Sequence, residues 1–357
     1  MVDRVLHGRD HLRQVTRDRV DAALAELDRK HAATGWRGRT FTLDILIQSP
    51  VRFSQAVRVA FEAELPLMRP AAFGARLNLA EIMEEREIVA RLRAIVRRGT
   101  QGIVLKVPAT LAIEACLEGL ARARLPVVTY VTDVAAPLRL AYVGMENAHA
   151  GATAAHLLSR MAGPAPSRVP ATPSIQMFRG EDLRRKGFVD HIARDAPHLV
   201  TVTVSEGFGE DRASGAIVRQ ALEAHPDIRS VYCNGGGDAA IVEASTQAGR
   251  RIEVFAAHDL DGTNRALLHR GQVSFVIHHD FRQDARRVSL HIAKHHRMIG
   301  QGIEIDETDI QIACPILLTY TAPRPGCFPG SGMQPPHGQG WPNRRCDRTR
   351  PRVRRRG

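Results

Sequence analysis

Few side chains in this sequence are spaced for bond-making chemistry. His278-His279 and His295-His296 invite a metal reading. Adjacent residues on a strand point to opposite faces, however, and Asp280 alone does not complete a ligand set. The cysteines Cys116, Cys233, Cys314, Cys327 and Cys346 form no CxxC pair and have no regular spacing. That argues against both a structural zinc site and a disulfide framework. Gly235-Gly236-Gly237, ahead of an expected helix, could cradle a phosphate at the helix N-terminus. The run is not G-x-G-x-x-G and no Walker lysine follows, so a dinucleotide enzyme is a poor second reading. There is no G-x-S-x-G elbow and no evident nucleophile–base pair. The expectation is a protein that holds a ligand without transforming it, with no metal and no cofactor.

The residues that could hold one must be positioned by an alternation of strands and helices. Apolar runs at Leu43–Ile47, Pro70–Leu77, Gly102–Val107 and Val127–Val131 read as strands, with helical stretches at about 53–67, 82–98 and 109–124 between them. After a Pro- and Ser-rich loop at 163–173 the rhythm resumes. Strands are expected at Ser174–Phe178, Val200–Val204, Ser230–Cys233, Ile252–Ala257 and Val273–Ile277, and helices near 182–195, 210–224, 238–247, 262–270 and 281–298. Strands alternating with helices imply α/β architecture with parallel, doubly wound sheets. The stretch 130–158 joins the two halves. In it a strand ends at Thr132-Asp133, a short strand follows at Leu140–Val143, and Gly144 breaks it. Asn147 is then read as the cap of a helix whose Ala150, Gly151, Ala154 and Ala155 permit close packing.

The net charge of +12 belongs to the chain ends: residues 1–40 hold nine Lys/Arg against six Asp/Glu, and residues 324–357 nine Arg against one Asp. A basic pI therefore says little about the core. Val15, Val20, Ala23, Leu24 and Leu27 recur at helical spacing in an N-terminal arm, and residues 29–41 read as a linker. Beyond about Tyr320 the chain is rich in Pro, Gly and Arg and is expected to be disordered. Such a tail is either a non-specific nucleic-acid contact or the product of a frameshift past the natural end. The opening residues lack a signal-peptide h-region, and no apolar run is long enough to span a bilayer, so a cytoplasmic location without membrane contact is expected.

Two places carry a family resemblance. Val2-Asp3-Arg4-Val5-Leu6-His7-Gly8-Arg9 and the Val20…Leu27 helix resemble the end of the recognition helix, the turn and the third helix of a lac-repressor-type (LacI/GalR) headpiece. Residues 42–300 resemble the type I periplasmic-binding-protein fold those regulators use as an effector domain. The match runs through Gln48-Ser49-Pro50-Val51-Arg52-Phe53 at the first strand end, Asp133 at the fourth, and Gly144-Met145-Glu146-Asn147 with Ala150-Gly151 at the crossover. It continues through Arg184 ahead of Gly187-Phe188, Asn234 opening the glycine loop, Asp259 at the strand of a G-F-D-type motif, and His279. The resemblance implies a partial headpiece (1–28), a linker (29–41), a bilobed effector domain (42–320) and a tail (321–357). Lobe 1 would comprise about 42–144 plus 278–300, and lobe 2 about 147–275 plus 301–318.

It further implies an effector site made by Ser49, Phe53, Asp133, Arg184, Asn234, Asp259 and His279. Phe53 would offer a flat face, Asp133 and Asp259 would accept from hydroxyls, Arg184 would donate two bonds, and His279 could do either. Three of them have a plainer reading: Asp133 as a strand end or turn cap, Arg184 on a solvated helix face, and Phe53 in the core. Arg4, His7 and Arg9 would be the DNA-contacting residues. The headpiece lacks its first helix, for which a start upstream of Met1 is the preferred explanation, and the linker lacks the family's Ala-Arg-x-Leu hinge. The expected function is a homodimeric transcriptional regulator that binds operator DNA under control of a sugar or polyol effector, with a hinge through Gly144. The alternative is a cytoplasmic sugar-binding protein without specific DNA binding.

Overall fold

The computed structural model describes residues 39–172, 178–204 and 211–316. The expected headpiece and tail lie outside them, and with them Arg4, His7 and Arg9; of the expected linker (29–41) only residues 39–41 are described, and Thr40 and Phe41 already belong to the first strand. The first sheet is ordered β2-β1-β3-β4-β5, from β1 (Thr40–Gln48), β2 (Ala72–Ala80), β3 (Gly102–Lys106), β4 (Val127–Tyr130) and β5 (Ala141–Val143). Its strands pair in parallel. β1 is the near-continuous apolar run that a strand covered on both faces requires. Its one buried acid, Asp44, is matched by Arg76 at 2.7 Å and by Arg98.

Helices cover both faces of this sheet. On one, α1 (Val51–Glu64) contributes Phe53, Val57 and Phe61 to the core. On the other, α2 (Glu85–Arg98) and α3 (Leu111–Arg122) bury Ile88, Leu92, Ile95, Ile113, Leu117 and Leu120. These are i, i+3, i+4, i+7 sets that put one stripe of each helix against the strands.

The second sheet is ordered β11-β10-β9-β8-β6-β7. It is built from β6 (Ser167–Thr172), β7 (Leu199–Thr203), β8 (Ser230–Cys233), β9 (Val254–His258), β10 (Phe275–His278) and β11 (Gln311–Ala313). Among the described strands only β11 runs antiparallel, against β10. Its helices are α4 (Asn147–Met161), α5 (Arg179–Asp195), α6 (Asp211–Ala224), α7 (Asp238–Gln247) and α8 (Gly262–His269). The last helix, α9 (Phe281–His295), follows β10 but buries Ala285, Val288 and Ile292 in the first sheet's core. The chain thus passes between the two layers three times: after β5, after β10, and again before β11.

The sequence reading missed one strand: β6 occupies Ser167–Thr172, inside the stretch read as a loop, while the strand expected at 174–178 lies, but for Phe178, outside the described residues. Pro170 explains the error, because proline in a run argues against a strand interior. Here Pro170 faces Val202 of β7, and pairing with β8 begins one residue later, at Ala171. α4 is capped by Glu146, whose carboxylate accepts from the amides of Ala148 and His149, and not by Asn147. Asn147 is the first helical residue and turns its amide inward. The small residues of α4 do what their sizes suggested. A Cβ on Gly151 would lie 1.9 Å from the Arg184 carbonyl oxygen, and one on Gly187 2.1 Å from that of Ala148. Only glycine allows α4 and α5 to approach so closely.

Candidate functional site

The carboxyl ends of the first-sheet strands face the corresponding ends of the second across a cleft, the place where open α/β sheets take ligands. One side is lined by Ser49, Pro50, Arg52, Phe53, Lys106, Val131 and Thr132. The other is lined by Phe178, Glu181, Arg184, Asn234, Gly235 and Asp259, and the space between them, partly open to solvent, measures about 30 Å³. Five of the seven residues expected at the site therefore meet here: Ser49, Phe53, Arg184, Asn234 and Asp259.

Arg184, at 3% exposure, is set by the crossover. Its Nε donates to Asn147 Oδ1 at 2.6 Å and its Nη1 to the Asn234 carbonyl at 3.4 Å. The amide of Asn147 donates in turn to the Tyr142 hydroxyl at 3.0 Å, and that hydroxyl donates to the Met145 carbonyl at 2.8 Å. The junction between the layers and the cleft arginine are thus one hydrogen-bonded chain. Asn234 donates from Nδ2 to the Glu181 carbonyl at 3.0 Å, while its Oδ1 is buried with no partner. Asp259 ends β9 in the left-handed region (φ 67), a conformation that aspartate tolerates better than most residues. Its Oδ1 is likewise buried without a partner. A buried acceptor left unpaired costs about 1–3 kcal/mol, so two of them in one cleft lining mark a place where a donor belongs.

Phe53 is both core and cleft: it meets Phe281 edge-on at 5.3 Å and Tyr130 at 6.5 Å, and still lines the void. Ser49 is held through its hydroxyl to Ser54 at 2.7 Å.

Two expected residues lie elsewhere. Asp133 takes the strand-end role that was its plainer reading. Its carboxylate accepts from Thr129 Oγ1 at 2.6 Å, the Val134 amide at 2.9 Å, and Arg139 Nε and Nη2 at 2.6 and 2.8 Å. The backbone turns at Val131 (φ 63), which brings Val131 and Thr132 to the cleft instead. Thr132 Oγ1 accepts from the Gly180 amide at 3.2 Å, a bond from one layer to the other. His279 is buried against Phe281 and Tyr130 with Nδ1 on Asp284, because α9 starts directly after β10 and brings that carboxylate beneath the ring. Asp284 also receives Arg287 at 3.2 Å and Thr308 at 2.9 Å.

Sequence reasoning missed Lys106 and Arg52. Lys106 closes β3 at 5% exposure, with Nζ donating to the Gln48 carbonyl at 3.2 Å and lying 3.9 Å over the Phe178 ring. Burial pushes its ammonium down to about 8, with the Arg184 charge adding to the fall and Glu181 and Asp259 opposing it. A lysine ending the apolar run GIVLK, at the ligand end of a buried strand, was the available signal.

Arg52 reaches across the cleft to Asp261 at 2.8 Å and Asp238 at 3.8 Å. Burial raises the Asp238 carboxyl against the pull of Arg52. The guanidinium fills the space over Gly236 (φ 105), where a Cβ would lie 1.6 Å from Nη2. The glycine run read as a potential phosphate cradle is the seat of this arginine.

Two doubly wound layers with a polar cleft between their strand ends define a bilobed α/β binding domain. A family model described as periplasmic binding protein domain matches residues 84–295, more than half of the chain, and the chain belongs to that family. Among solved structures, the glucose-galactose binding protein GanP from Geobacillus stearothermophilus aligns at TM-score 0.68 and 15% identity, covering 78% of this chain and 98% of that one. The arabinose binding protein AraP from the same organism aligns at 0.64 and 18%, covering 79% and 98%. A candidate LacI transcriptional regulator from Bacteroides fragilis aligns at 0.69 and 15%, covering 79% and 99%. No curated protein sequence matches the chain. At these identities the likeness is one of fold.

Proposed function

We propose that the cleft binds a sugar-like, polyhydroxylated effector and that the chain is a transcriptional regulator of the lac-repressor type. The observation that carries the binding half is the pair of buried, unpartnered acceptors, Asn234 Oδ1 and Asp259 Oδ1, in the same lining as the donors Arg184 and Lys106. Vicinal hydroxyls donate and accept at once, so one polyol can meet both sets, with Phe53 giving its ring an apolar face. Solved structures of the same fold described as glucose-galactose, arabinose and fructose binding support that ligand class. The regulator half is supported by the headpiece resemblance at residues 2–27, with Arg4, His7 and Arg9 toward DNA, and by the structural likeness to a candidate regulator. In this reading effector bridges the two lobes, the crossover at Gly144 bends, and paired headpieces of a homodimer change their spacing. The runner-up is a sugar-binding protein without specific DNA binding.

A thermal-shift screen of aldoses, ketoses and polyols tests the binding half, because a ligand that binds only the folded state raises the melting temperature. At least one such ligand is expected to do so; a flat response across the panel contradicts the ligand class. Operator selection with the full chain separates the regulator from the runner-up: a recovered sequence whose affinity changes with effector supports the former, and recovery of none supports the latter.

A further inference from the structure

We propose that the ligand carries an anionic group, a carboxylate or phosphate on the polyhydroxylated skeleton, which Lys106 of one lobe and Arg184 of the other clamp between them. This inference rests on the reading of the cleft as a sugar-type site and narrows it. Lys106 and Arg184 are at 5% and 3% exposure, and neither has a carboxylate of the described residues within 4.0 Å. Arg52, the third cation of the lining, is already met by Asp261 and Asp238. Lys106 gives one of its three ammonium donors to the Gln48 carbonyl, and Arg184 spends Nε and Nη1 on Asn147 and the Asn234 carbonyl. Ammonium and guanidinium donors therefore remain, in a site where an uncompensated charge is costly.

Glu181 and Asp259 line the same cleft but are only half-buried and keep part of their hydration. Both carboxylates favour the Lys106 charge. The cations come from opposite lobes, and two like charges lining one cleft repel each other. An anion between them converts that repulsion into two charge-assisted bonds formed only when the lobes are together. Hydroxyls on the same ligand then donate to Asn234 Oδ1 and Asp259 Oδ1. A neutral sugar satisfies the acceptors but gives the two cations no anion in direct hydrogen-bonded contact; a sugar acid or sugar phosphate satisfies both.

The test is calorimetric titration of the full chain with matched pairs: galactose and galacturonate, glucose and gluconate, glucose and glucose 6-phosphate. At least one acid is expected to bind about tenfold or more tightly than its neutral partner, the worth of one charge-assisted bond. The carboxylate and phosphate arms identify which anion is read. Lys106→Gln is expected to bring that ratio to within about threefold, with each partner's affinity compared inside the variant, since Lys106 also serves the neutral sugar as a donor. Equal binding of neutral and acid partners overturns the inference and leaves the sugar site standing. An acid preference that survives Lys106→Gln removes Lys106 from the clamp and overturns it too. Absence of binding by every member of all pairs overturns both this inference and the sugar-type reading. Should Lys106→Gln not fold, the wild-type ratio decides alone.

Discussion

Removing Arg52 should open the cleft. Its guanidinium passes from the first-sheet layer to the second, 2.8 Å from Asp261, with side-chain exposures of 20% and 3%. At an effective dielectric of 20 the bare attraction at that distance is roughly 6 kcal/mol. Desolvation of both ions cancels most of it, leaving about 2 kcal/mol in favour of the closed arrangement. In the Arg52→Ala variant Asp261 and Asp238 lose their counter-charge and gain by meeting water, so opening is favoured by that amount, about thirtyfold in the closed-to-open ratio. Asp261→Asn should reproduce most of the effect, because asparagine keeps the α8 cap to the Asn264 amide while dropping the charge. Small-angle scattering of the ligand-free proteins reads the change as a larger radius of gyration in either single variant. The double variant should be no more open than the singles, since both remove one interaction. Identical scattering from wild type and Arg52→Ala, or additive effects of the two substitutions, would refute a latch.

Three further outcomes follow from the same geometry. Gly187→Ala drives a methyl group into the Ala148 carbonyl at 2.1 Å, backbone against backbone. Urea denaturation should show a loss of about 3 kcal/mol, the upper end of overpacking; a loss under about 1 kcal/mol would mean the helices separate freely. Asp133→Asn should leave ligand affinity within about twofold while lowering the melting temperature, since its partners are Thr129, Val134 and Arg139, all within the β4–β5 region. A tenfold or greater loss of affinity would return Asp133 to the site.

The third outcome concerns pH. The hydrogen bond from Arg286, reinforced by Arg282 and opposed by burial, holds the Glu64 carboxyl below its ordinary 4.5. A depressed carboxylate stabilises fully above its unfolded value and ceases to as pH falls through its folded one. Stability should therefore hold above about pH 4.5 and decline below it, less steeply in Glu64→Gln, when followed by thermal unfolding.

The sheets were legible because buried parallel strands are near-continuous apolar runs, and β1, β3, β8 and β9 are such runs. β6 was not, since Ser167, Pro170 and Thr172 look like loop; what makes it a strand is pairing with β7 and β8, a tertiary fact. Of the residues lining the cleft, Asn234 and Asp259 were legible because they directly follow strands, and Phe53 and Arg184 because they lie in the first turns of helices that start at the cleft. Asp133 and His279 also stand at strand ends, but the next residues decide their direction. Val131 turns the chain at positive φ, and Arg139 and Asp284 supply nearer partners. Arg52 could not be found by position alone, because its meaning depends on Gly236, 184 residues away, having no side chain. Lys106 was passed over although it stands at the ligand end of its strand.

The claim on which the rest depends is that Arg184 and Asp259 hold one ligand together across this cleft. Isothermal titration of the tightest-binding sugar or sugar acid into wild type, Arg184→Ala and Asp259→Ala measures it directly. Each variant should lose about tenfold or more in affinity, as expected when a buried charge-assisted bond is removed, with folding verified by circular dichroism. Wild-type affinity retained in both folded variants would place the ligand somewhere other than this cleft.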